Sequence, residues 1–127
     1  MVRVVPKGKV TEDEIKLLYQ HARTQIMIFT RAFEYLPRVI DELASANLKK
    51  TLRVQFLDFF KLKTVVRGVQ RKVLLVLNAR TPTVEIRFAQ DLPIRGTIVD
   101  PEGQAKAIFH AEELYVPLFL RGLRNRE

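Results

Sequence analysis

The sequence predicts an α/β protein: a three-layer α/β sandwich around a mixed, mostly parallel sheet that closes with a C-terminal antiparallel hairpin. Three observations predict it. Short β-rich strings alternate along the chain with segments of helical periodicity. Strands separated by helices call for parallel pairing through right-handed crossovers. Asp100-Pro101-Glu102-Gly103 puts proline second and glycine fourth, as a type I turn requires, so the strings on either side of it form a hairpin. With 127 residues the chain reads as a single domain over 1–127, long enough to bury a core without a disulfide or a metal.

Each element has its own signal. Thr11-Glu12-Asp13-Glu14 is a capping box and predicts a helix to about Arg23, burying Ile15, Leu18 and Ala22. Gln25–Thr30 (QIMIFT) is short and β-rich, a buried strand. Leu36, Val39, Ile40 and Leu43 repeat at helical spacing, with Pro37 tolerated in the first turn, and predict a helix ending near Asn47. Thr51–Leu57 (TLRVQFL) is the second strand. Leu62, Val65, Val66, Val69, Val73, Leu74 and Leu77 form one helical stripe over 61–80. A competing reading breaks that helix at Gly68 and makes Lys72–Leu77 a strand, since valines favour strands. The unbroken periodicity favours the helix, which Thr81-Pro82 ends. Val84–Phe88 is the third strand, and Ile94–Val99 and Gln104–Phe109 are the hairpin strands. The tail, Ala111–Glu127, is expected to be at least partly helical, restarting or kinking at Pro117. The expected order is α-β-α-β-α-β-β-β-α.

Charge narrows the partners. The net charge is +8, and it is concentrated. The stretch Asn47–Lys72 holds Lys49, Lys50, Arg53, Lys61, Lys63, Arg67, Arg71 and Lys72 against Asp58 alone. Such a concentration points to an anionic partner, against the plainer reading of a solvated basic helix face. Within it, Lys63, Arg67 and Arg71 are spaced i, i+4, i+8 and form an outward stripe opposite the valines and leucines, with help expected from Lys49, Lys50 and Arg53. Gly68 beside Arg67 leaves room for a phosphate backbone. No aromatic residue interrupts the stripe, so phosphate contacts with weak sequence preference are expected, and no stacking on unpaired bases.

Several chemistries are excluded or disfavoured. The chain has no cysteine, which removes disulfides, zinc–cysteine sites and cysteine catalysis. Its glycines, at 8, 68, 96, 103 and 122, make neither phosphate-loop pattern. Ser45, the only serine, sits within a helix without an adjacent base. His21 and His110 are far apart in sequence, so no metal site and no cofactor are expected. Glu85-Ile86-Arg87 has the acidic-x-basic form of metal-dependent nucleases, but arginine is a poor proton-transfer group and a strand ion pair is the simpler meaning. The longest apolar run, Leu114–Leu120, is too short to span a bilayer, so no membrane partner is expected. The first residues lack the apolar run of a signal peptide, and a cytoplasmic location is the expectation.

The stretch Val84–Phe109 (VEIRFAQDLPIRGTIVDPEGQAKAIF) with the β-α-β pattern before it resembles phospholipase D-like domains. Those domains carry an H-x-K-x-x-x-x-D motif on a strand running into a hairpin turn. The same spacing here reads Pro93, Arg95 and Asp100: the aspartate is kept, arginine replaces lysine, and proline replaces the histidine. Proline has no titratable group and cannot form a phosphohistidine, so the resemblance implies a fold without its hydrolytic chemistry, not an enzyme. More closely, Ala22-Arg23, Gln25–Thr30, Val84–Arg87, Leu92–Gly96 and Ile98–Asp100 resemble the sensor domains of archaeal TrmB-type transcription regulators, over about residues 12–110. That resemblance implies a dimeric regulatory or sensor module linked to transcription. The winged-helix DNA-binding domain that accompanies such sensors finds no place in these residues, so a separate DNA-binding regulator is a candidate partner. A homodimer is expected, since phospholipase D-like halves pair, and Leu118, Phe119 and Leu120 of the tail exceed what one short helix buries.

Overall fold

The computed structural model describes residues 2–5 and 9–110, with side chains from 12 to 109. Its elements in order are β1 (Val2–Val5), α1 (Lys9–His21), β2 (Ile26–Thr30), α2 (Leu36–Ala44), β3 (Arg53–Leu57), a 3-10 turn (Phe59–Lys61), α3 (Thr64–Arg80), β4 (Glu85–Ala89), β5 (Gly96–Val99) and β6 (Lys106–His110). The strands form one mixed sheet in the order β1-β6-β5-β2-β3-β4. β2, β3 and β4 pair in parallel, as do β1 and β6. β5 pairs antiparallel with both β2 and β6, so β5 alone runs against the others. The expected α/β class, the parallel β2-β3-β4 run and the closing hairpin are all present. The expected tail helix, with Leu118, Phe119 and Leu120, lies outside the described residues.

The register explains where the core sits. It places Ile26, Ile28 and Thr30 of β2, Val54 and Phe56 of β3, Thr97 and Val99 of β5 and Ile108 of β6 on one face. All of them are buried. The apolar ones among them pack in one cluster with Ile15, Leu18 and Tyr19 of α1, Leu36, Val39 and Leu43 of α2, and Val73 and Leu77 of α3. The crossovers β1-α1-β2, β2-α2-β3 and β3-α3-β4 all step the same way across the sheet. A common right hand therefore sends all three helices to the same face. Each large side chain buried there contributes about 1.5–3 kcal/mol. On the opposite face Met27, Phe29, Ile98 and Phe109 are half-buried, and among the described residues no helix crosses them.

Four expectations are corrected. β1 was not foreseen: Val2-Arg3-Val4-Val5 is a short edge strand whose ladder partner is the far end of the described chain. α1 starts at Lys9, so Thr11 lies inside the helix and does not cap it. α2 stops at Ala44, where Ser45 closes the turn by bonding the Asp41 carbonyl. α3 starts at Thr64, because Phe59–Lys61 takes a 3-10 turn first. That later start leaves Lys63 at the helix cap, and Val65, part of the expected buried stripe, stands 79% exposed in the first helical turn, ahead of the buried Val73 and Leu77. No helix among the described residues is long and apolar enough to cross a membrane.

Candidate nucleic-acid interface

The basic stretch Asn47–Lys72 does not form one surface. Its first cations stand before β3 or, for Arg53, at its first residue, and its last follow it, so about 13 Å of strand separates them. At the amino end, Lys50 pairs with Glu102 at 2.6 Å and Arg53 with Glu85 at 2.9 Å. Glu85 also takes Arg87 at 2.5 Å, so the Glu85-Ile86-Arg87 string is a strand ion pair. Bonds from Arg87 and then Arg53 hold the Glu85 carboxyl below the usual glutamate range, and Lys50 does the same to Glu102. Lys49 is exposed, and its amide N–H donates to the Arg23 carbonyl. Lys50 and Arg53 are therefore ion-paired, while Lys49 has no carboxylate partner among the described residues and Glu85 is shared with Arg87.

The carboxyl end of the sheet differs. Lys61 ends the 3-10 turn, Lys63 is the N-cap of α3, and Arg67, Arg71 and Lys72 lie in its first three turns; among the described residues none of the five has a carboxylate within ion-pair distance. Arg31, which follows β2 at the same end, is held by Glu34, and elsewhere Arg38 and Arg80 are held by Glu12 and Asp41. Asp58, the only acid in the basic stretch, is occupied in fixing the turn. Its carboxylate caps Phe60 N–H and accepts from Gln90 Nε2 at 2.9 Å, while its own N–H donates to the Ala89 carbonyl. α3 has no acidic residue in its first turn and no side chain capping it, so the positive end of its dipole adds to the same region. Cβ space at Gly68 is open, in keeping with an approachable backbone.

Arg67 has a second use that the sequence reading missed. Its Nε donates to the Phe59 carbonyl at 3.2 Å and its Nη2 to the Phe60 carbonyl at 3.3 Å. Its guanidinium also lies 5.5 Å from the Phe59 ring centre and 5.8 Å from that of Phe60. The Arg71 guanidinium sits 5.2 Å from the Phe59 ring. The two rings meet edge to face at 5.4 Å. Aromatic residues thus do stand beside the basic stripe, contrary to the expectation from helical spacing. They come from the preceding turn, and Phe60 is 76% exposed. Two adjacent phenylalanines following an aspartate, outside both the strand and the helix period, were the available signal.

Gln70 joins this end of the molecule together. It is fully buried, and its amide donates to the Arg31 carbonyl and the Leu57 carbonyl, each at 3.0 Å, just past β2 and at the end of β3. The phospholipase D-like positions are divided by the length of β5. Pro93, exposed, and Arg95, half-buried, precede β5 at the carboxyl end of its neighbours, and Arg95 Nη1 donates to the Leu92 carbonyl. Asp100 follows β5 at the other end. It accepts from the backbone N–H groups of Arg23, Thr24 and Gln25 and from the Thr24 hydroxyl, at 2.8–3.2 Å. Burial raises the Asp100 pKa, but these bonds, led by Thr24, outweigh it and hold the carboxyl below its usual range. His21 ends α1 at the amino side of the sheet and His110 ends β6 at the carboxyl side, so the sheet separates them. Among the described residues no group of three or more histidine, aspartate or glutamate side chains gathers to hold a metal.

Comparison with protein-family models, with curated proteins and with solved structures found no match to this chain.

Proposed function

We propose that this chain is a non-catalytic, phospholipase D-like regulatory module of the cytoplasm that binds nucleic acid through phosphate contacts at the carboxyl end of its sheet. One observation carries the binding part: Lys61, Lys63, Arg67, Arg71 and Lys72 cluster there without a carboxylate partner among the described residues, while Lys50 and Arg53 at the other end are neutralised. Unneutralised cations on one edge attract a polyanion and release its counterions on contact. The carboxyl ends of parallel strands are also where α/β sheets hold their ligands.

The phospholipase D-like part is supported by the β-α-β run, the hairpin and the turn that Asp100 closes. In that reading a third layer covers the second face of the sheet. With proline at the nucleophile position no phosphodiester is hydrolysed. Turnover of a chromogenic bis-phosphodiester that disappears in Arg95→Ala would contradict this.

Binding is tested by titrating the full chain with fluorescent DNA, both duplex and single-stranded, across a salt series. Three phosphate contacts give a log–log slope of about −2.7 on the duplex. No binding at low salt, or binding indifferent to salt, would overturn the proposal.

A further inference from the structure

We infer that Phe60 is a stacking platform for an unpaired nucleobase, so that the site prefers single-stranded to duplex nucleic acid. The inference rests on the phosphate-binding reading above and adds to it the form of the ligand.

The Phe60 ring is 76% open to water, so most of it is free to meet a ligand. Here it is also held in place. Asp58 caps the 3-10 turn from one side through the Phe60 N–H, and Arg67 bonds the Phe59 and Phe60 carbonyls from the other. Phe59 meets the Phe60 ring edge-on at 5.4 Å, and the Arg67 guanidinium lies 5.8 Å from its centre. The ring is therefore positioned before any ligand arrives, which removes part of the ordering cost of binding. Around it stand the cations that a phosphodiester strand needs: Lys61 and Lys63 in the adjacent backbone and Arg71 beside Phe59. Exposed rings interleaved with cations along a backbone path are how single strands are held without sequence readout. A duplex hides its bases' faces within the stack, so a duplex reaches the lysines but not the ring. Arg67 is in this account a positioning residue for the ring, not a phosphate ligand.

The chain has no tryptophan, so Phe60→Trp introduces a single fluorophore at the platform. The experiment measures binding of fluorescent dT15, U15 and a 15-base-pair duplex by the wild type, Phe60→Ala and Phe60→Trp. Phe60→Ala should weaken dT15 and U15 about tenfold, leave the duplex unchanged and leave the salt slope unchanged, since no cation is removed. Phe60→Trp should retain single-strand binding, and unlabelled dT15 should quench its emission. A melting temperature equal to wild type for Phe60→Ala shows that the effect is not unfolding. Equal loss for strand and duplex, or no loss for either while both bind with a steep salt slope, overturns the stacking inference and leaves phosphate binding standing. Absence of binding to all three probes at low salt overturns both.

Discussion

At the scale of single residues, the same side-chain types serve different ends according to what surrounds them. Spacing in the sequence marks Asp100 as a motif position. In the fold it organises a turn, gathering three backbone N–H groups and a hydroxyl where α1 passes into β2. Its folded pKa is depressed, so its contribution is fully present above the ordinary aspartate range. It is lost as pH falls through the lower folded value. Asp100→Asn keeps one acceptor oxygen and removes the charge. It should cost about 1–3 kcal/mol at neutral pH, and the gap to wild type should shrink as urea melts are taken to lower pH across that window. A constant gap at every pH would show that the charge is irrelevant. Spacing identified this position without revealing its purpose, because the partners lie more than seventy residues away. Arg67 shows the converse: its spacing marked it as outward, yet its hydrogen bonds to the Phe59 and Phe60 carbonyls reach back across the start of the helix.

At the scale of elements, the strands and helices with strong periodicity were legible, and the joins between them were not. The parallel β2, β3 and β4 and the β5–β6 hairpin followed from alternation and turn chemistry. The start of α3 did not, because apolar spacing continues through Leu62 while the backbone is still leaving the 3-10 turn. β1 escaped notice for a physical reason. An edge strand of four residues has too little pattern of its own, and its identity comes from pairing with β6, about a hundred residues later. Gln70 holds α3 against β2 and β3 by donating its amide to the Arg31 and Leu57 carbonyls. Gln70→Ala removes both bonds and leaves a gap at a fully buried position, and should cost about 2–4 kcal/mol in a urea melt. Gln70→Glu, which loses the amide donors at equal volume, should cost as much or more, since it also buries a charge. Stability equal to wild type in both would mean that water satisfies the carbonyls and that Gln70 is incidental.

At the scale of the whole molecule, the sequence shows that positive charge is concentrated but not that it is divided. The +8 net charge is a property of composition. The separation of Lys49, Lys50 and Arg53 from Lys61, Lys63 and Arg71 is a property of β3, which carries the chain from one end of the sheet to the other. Carboxylates that are distant in sequence, Glu102 and Glu85, pair with Lys50 and Arg53, and among the described residues none pairs with Lys61, Lys63 or Arg71. The candidate site was thus half legible: the stretch was found, and the three-dimensional balance that selects its second half was not. This division also gives the central claim its most direct test. Two triple variants, Lys49→Gln/Lys50→Gln/Arg53→Gln and Lys61→Gln/Lys63→Gln/Arg71→Gln, remove the same formal charge. The salt dependence of dT15 binding is measured for each beside the wild type. The account predicts that the second variant flattens the log–log slope by about 2.1, at about 0.7 per single-strand contact, while the first leaves it near the wild-type value. Equal flattening by both variants, or a greater loss in the first, would contradict the assignment of the site to the carboxyl end of the sheet.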